Sequence, residues 1–159
     1  MREILFKAKR ICDGKWVEGY YLRDQYHIGG KDIIFYRKDS DRFIVYTDII
    51  DIETLCQFTG LCDKNGKKIW ENDVLMCHGN SEDLAKAVFG EFGVRNIETG
   101  SIVDKVVGWH YEVFSTDAIS RCEPFSWSMP LTKYYIDRCE MEVVGNIFDN
   151  PELLQEERK

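Results

Sequence analysis

The sequence is short of the features that mark exported, membrane-bound or metal-clamped proteins. No run of about 18 apolar residues occurs anywhere in it, so no membrane-spanning helix is expected. The opening residues, MREILFKAKR, lack the apolar stretch of a secretory signal. The six cysteines (Cys12, Cys56, Cys62, Cys77, Cys122 and Cys139) include no C-x-x-C pair, and Cys56-x₅-Cys62 is too widely spaced for a zinc knuckle. Without an export signal, reduced cytoplasmic thiols are expected rather than a disulfide framework. Histidine is scarce, with three copies: His27 and His110 have no motif around them, and His78 follows Cys77 directly. Neighbours on a strand point to opposite faces, so Cys77 and His78 do not form a nucleophile–base pair. There is also no excess of positive charge. The net charge is −7, which opposes indiscriminate coating of nucleic acid.

What the sequence does have is the composition of an ordinary folded domain. Its 159 residues are 44% hydrophobic and 31% charged, enough for a proper core without staples. The charge is uneven: residues 1–23 carry six basic against three acidic side chains, whereas 48–53, 81–104 and the C-terminal tail are acidic.

Strand signals dominate the chain. Residues 3–10 alternate, with Ile4, Phe6 and Ala8 on one face, and Asp13-Gly14 turns the chain into WVEGYYL at 16–22 as a hairpin. IIFYR at 33–37 and RFIVYT at 42–47 make a second hairpin, and VLMCH at 74–78, 102–109, 111–115 and 141–148 read as further strands. Residues 81–92 are the best helix candidate, because Leu84, Val88 and Phe92 recur at intervals of four behind a possible cap at Asn80 or Ser81. A second short helix starts at Asn150-Pro151-Glu152. No βαβ alternation or internal repeat is present. The fold class expected is mainly β and mostly antiparallel, either a short-strand barrel or two small packed sheets, with one or two short helices. The chain is read as one compact unit over 1–159, with a subdivision into N-terminal hairpins (1–50) and a barrel-like part (51–159). The apolar loop PFSWSMPL at 124–131 is expected to pack on its own fold or on another subunit.

The most patterned stretch is CQFTGLCDKNGKKIWENDV at 56–74, which reads as strand, turn, strand, turn, strand. Gly60, Asp63, Asn65 and Gly66 supply the turn chemistry: Asp and Asn bond their own backbone, and glycine takes a positive φ. A rival assignment makes Asp63, Glu71 and Asp73 a carboxylate cluster for a hard metal, giving a metal-dependent enzyme. Glu71 and Asp73, two apart, share a strand face, but that pair alone is common. Elsewhere, Lys7, Lys9, Arg10, Arg37 and Arg42 lie near Trp16 and Tyr20, a combination that could stack and neutralise a single strand of nucleic acid. Core filling by the aromatics competes with that reading, and the net charge opposes it.

Three segments together resemble the YopX family of phage and prophage proteins: MREILFKA at the start, QFTGLCDKNGKKIWENDVL at 57–75 and EVVGNIFDNPELL at 142–154. They cover about a quarter of the chain, in the family's order. The departures are Asn72, where the family usually has glycine, and a longer middle region over about 78–104. The resemblance implies a β-rich fold and action in the bacterial cytoplasm in a phage or prophage setting. It brings no catalytic residues. The function expected is an accessory protein, a homo-oligomer that binds a host or phage macromolecule without catalysis. No catalytic residue, metal or cofactor is assigned, and no membrane partner is expected.

Overall fold

A computed structural model describes residues 3–26, 29–96, 98–115 and 127–154. Eleven strands are defined among them: β1 (Phe6–Lys9), β2 (Trp16–Asp24), β3 (Lys31–Lys38), β4 (Asp41–Ile49), β5 (Cys56–Cys62), β6 (Lys68–Trp70), β7 (Asp73–Cys77), β8 (Asn80–Arg95), β9 (Ile102–Ser115), β10 (Met129–Pro130) and β11 (Glu142–Asn146). One α-helix, α1 (Lys133–Arg138), and 3₁₀ turns at Ile52–Thr54 and Pro151–Leu154 complete them. The strands form two antiparallel sheets, in the orders β4-β3-β2-β1-β5-β6 and β10-β9-β8-β7-β11. Neither closes into a barrel among the described residues, so the two-sheet alternative holds. The chain divides at Gly60 into two compact units.

In the first unit the period of two decides what is buried. Ala8 faces Val17 across the β1–β2 hairpin, and both are buried, while the flanking Lys7 and Lys9 turn outward. Ile34 and Ile50 complete the core, with Phe6, Tyr21, Tyr36 and Leu55 around them. Gly19 is required where β2 passes β3, because a Cβ there would sit 2.3 Å from the Phe35 carbonyl oxygen. The end of β4 turns back onto the β1–β2 turn. Ile11 N–H donates to Ile49 O at 3.0 Å and Asp51 N–H to Lys9 O at 2.8 Å.

The second unit is built on β8 and β9, paired from Leu84↔Ser115 to Arg95↔Ile102. Its core holds Ile69, Leu75, Tyr111, Ile136 and Met141, all fully buried. The helix expected over 81–92 is strand β8. A spacing of four is also a multiple of two, so Leu84, Val88 and Phe92 satisfy a strand face as well as a helix face. The turn before it decides between them. His78 (φ 56°) and Gly79 (φ 66°) both take left-handed conformations between the paired Cys77 and Asn80, so the chain folds back directly along β7. The segments 102–109 and 111–115 are one continuous strand. Residues 124–126 of the apolar loop lie outside the described residues. Met129 and Leu131 are buried in the second unit's own core, with Trp127 packed against it.

Candidate interaction surfaces

Asp63 is buried and works as a hub. Its Oδ1 accepts the N–H groups of Asn65 (2.8 Å) and Lys67 (2.9 Å), and its Oδ2 accepts the Val143 N–H at 2.9 Å. The carboxylate therefore builds the turn after β5 and ties it to β11, while Gly66 takes φ 82° and Gly60 φ 85°. Asp73, also buried, accepts the Trp70 N–H at 2.8 Å and closes the β6–β7 turn. Asn72 in that turn has φ 64°, a left-handed conformation that glycine and asparagine adopt more readily than other residues. Asp63, Glu71 and Asp73 are not brought together as a cation site. No three His, Cys, Asp or Glu side chains are so gathered among the described residues.

The basic–aromatic set splits between two sides of the first sheet. Lys7 and Lys9 share a face with Trp16 and Tyr20, and the Tyr20↔Phe35 pairing puts Arg37 on that face too. Arg10 has the opposite parity and lies 3.0 Å from Asp13 and 3.6 Å from Asp48. For Arg42 only the backbone, within β4, is described. The rings on the shared face are already engaged. The ammonium groups of Lys7 and Lys9 stand 4.9 and 5.5 Å from the Trp16 ring centroid, and Tyr20 stacks on Phe35 at 5.4 Å. Lysine over an indole occupies the surface that a nucleic-acid base would use.

The thiols and imidazoles do not pair for catalysis either. Burial pushes the Cys77 and Cys139 thiols up, away from the reactive thiolate. His78 turns to Asp83, with Nδ1 3.7 Å from Oδ2, and His27 lies outside the described residues. His110 is buried and stacked on Phe92 at 4.6 Å, its Nδ1 3.2 Å from the Gly108 carbonyl oxygen and its Nε2 3.4 Å from Glu112. No disulfide joins the described cysteines.

The open surfaces lie elsewhere, and the sequence patterns did not single them out. The neighbours of β8 and β9 are short: Asn72 N–H reaches Ala87 O on one edge and Leu131 N–H reaches Trp109 O on the other. Beyond these points β8 and β9 continue as a two-stranded ribbon with no third strand among the described residues. Phe89, Val103 and Val107 are 52%, 63% and 68% exposed along it, and Gly90 pairs with Gly108 in a gap without side chains. In the first unit, Arg42 to Val45 form a bulge between the Tyr36↔Tyr46 and Lys38↔Asp41 pairs, which lifts Phe43 to 98% exposure. At the other end of β4 a groove of about 650 Å³ opens among isoleucines.

Taken together these features define a β-rich two-sheet protein whose conspicuous polar residues build turns and whose open surfaces are apolar. The chain belongs to the YopX family: the family model described as YopX protein matches residues 5–155, nearly its whole length. Comparison with the curated proteins finds no match. Among the described residues no helix is long and apolar enough to cross a membrane.

Proposed function

We propose that this protein is a non-catalytic accessory protein of a phage or prophage, acting in the bacterial cytoplasm as a homo-oligomer that binds a macromolecule. The observation that carries this reading is the β8–β9 ribbon. A two-stranded ribbon is marginally stable in water; Trp127 stands against Arg95 on this one, but Phe89, Val103 and Val107 lie in the open and call for a cover. The occupant proposed is a second copy of the chain. Up to Gly60 the chain has ten basic and ten acidic side chains, against eleven and eighteen from Leu61 onward, so copies of the second unit repel over most of their surface. The ribbon strands beyond Phe89 and Trp109 are an exception. They carry Glu91 and Asp104 against Arg95 and Lys105, with Glu91 and Lys105 paired at 3.2 Å, so copies can meet there without net repulsion.

Light scattering after size exclusion tests this reading. The wild-type chain is expected at a multiple of 18.7 kDa, and the double variant Val103→Asp/Val107→Asp at 18.7 kDa with its fold intact, since both positions are exposed. A monomeric wild type would remove the self-association part of the reading.

A further inference from the structure

The groove at the end of β4 joins apolar walls, carboxylates and open backbone. Its volume of about 650 Å³ is that of a ligand cleft, and Ile11, Ile49, Ile50 and Ile52 line it. Three carboxylates share the lining with one cation, Lys31. Asp32 Oδ1 accepts the Tyr21 hydroxyl at 2.6 Å, Asp48 Oδ2 the Tyr36 hydroxyl at 3.0 Å, and Asp51 Oδ1 the Glu53 N–H at 3.1 Å. Among the described residues this leaves one oxygen of each carboxylate for a ligand. The neighbouring Arg10 is already held between Asp13 and Asp48.

The backbone adds direction. Ile50 N–H donates to Asp32 O at 3.0 Å, so Ile50, Asp48 and Tyr46 bond inward to β3, while Ile49 and Thr47 turn their N–H and C=O outward. The Ile49 carbonyl is taken by Ile11 N–H. Thr47, the next outward residue, lines the groove and has no partner on that side among the described residues.

We infer that this groove takes an extended peptide segment of a partner protein carrying an apolar side chain and, two residues on, a lysine or arginine. The segment adds beside β4 and exchanges backbone hydrogen bonds with Thr47. Side chains two apart fall on one face, and Asp32, Asp48 and Ile50 share a face of the sheet, so the basic one meets Asp32 and Asp48 and the apolar one the isoleucine wall at Ile50. The same carboxylates repel a phosphate backbone. This inference rests on the reading of the chain as a binding protein and gives the partner its chemistry.

The probe is the peptide acetyl-Thr-Ile-Thr-Lys-Thr-amide, titrated into ¹⁵N-labelled full-length protein. The expected result is a saturable shift of the Thr47 amide, weakened at least about tenfold when glutamate replaces the peptide's lysine. Methylation of the central peptide nitrogen is expected to weaken it comparably. Ile11→Asp, at an exposed position, should abolish binding without altering the melting temperature. Equal binding of the lysine and glutamate probes, or no Thr47 shift at about 1 mM probe, would overturn the inference. Butylammonium binding as tightly as the peptide would also overturn it, in favour of a small-amine site. A monomeric wild type that binds the probe removes the self-association reading alone, and an assembled wild type that ignores it removes the groove alone.

Discussion

Replacing Asp63 with alanine tests how much the turn after β5 holds. The carboxylate accepts three backbone N–H groups, from Asn65, Lys67 and Val143, and it is 3% exposed. Hydrogen bonds to a charged acceptor are worth about 1.5–3 kcal/mol each, and water replaces them poorly at a buried site. Allowing for coupling among the three, Asp63→Ala is expected to cost about 4–6 kcal/mol, a large part of the roughly 5–15 kcal/mol that holds a domain together. With a urea m-value near 2 kcal/mol/M, the unfolding midpoint followed by tryptophan fluorescence should fall by about 2–3 M. Asp63→Asn offers a graded version. Its amide oxygen can keep the Asn65 and Lys67 bonds, but its NH₂ then meets the Val143 N–H, so about half the loss is expected. A midpoint shift under about 0.5 M for Asp63→Ala would show that the hub is not needed and refute the reasoning.

Other outcomes follow from backbone conformation and buried thiols. Gly66→Val meets no steric neighbour but forces a β-branched residue to φ 82°, so the melting temperature should drop by several degrees; an unchanged value would contradict the assignment. Asn72→Gly should change stability by under about 1 kcal/mol, whereas Asn72→Val should cost more, because the position holds φ 64°. Burial raises the Cys77 thiol above its ordinary value of 9.0, so its contribution to stability is complete below that pH and is lost as the unfolded chain ionises above it. From pH 9 to 10.5 the Cys77 thiol should remove stability with a slope that rises toward about 1.4 kcal/mol per pH unit, and Cys77→Val should flatten the slope of urea midpoint against pH.

The strand-rich class was legible because alternation at Ala8 and Val17 and the turn residues Asp13-Gly14 and Asp63–Gly66 are local signals. The 81–92 segment reads as a helix because spacing by four suits both periods, and the deciding positive φ at His78 is uncommon for any non-glycine residue. The turn roles of Asp63 and Gly66 could be read from neighbours, but the Asp63–Val143 bond spans 80 positions and leaves no local trace. The basic–aromatic set looked coherent in sequence, yet strand parity sends Arg10 to the far side and lysines cover Trp16. The groove gathers Ile11, Asp32 and Asp48–Ile52 from three turns and strand ends, and the ribbon is exposed only because β7 and β10 stop early. Both are products of topology rather than of any motif.

The most direct test of the account is the mass of the wild-type chain in solution beside that of Val103→Asp/Val107→Asp. Self-association through the ribbon predicts an oligomer for the first and 18.7 kDa for the second. Equal masses for the two, monomeric or oligomeric, would contradict it.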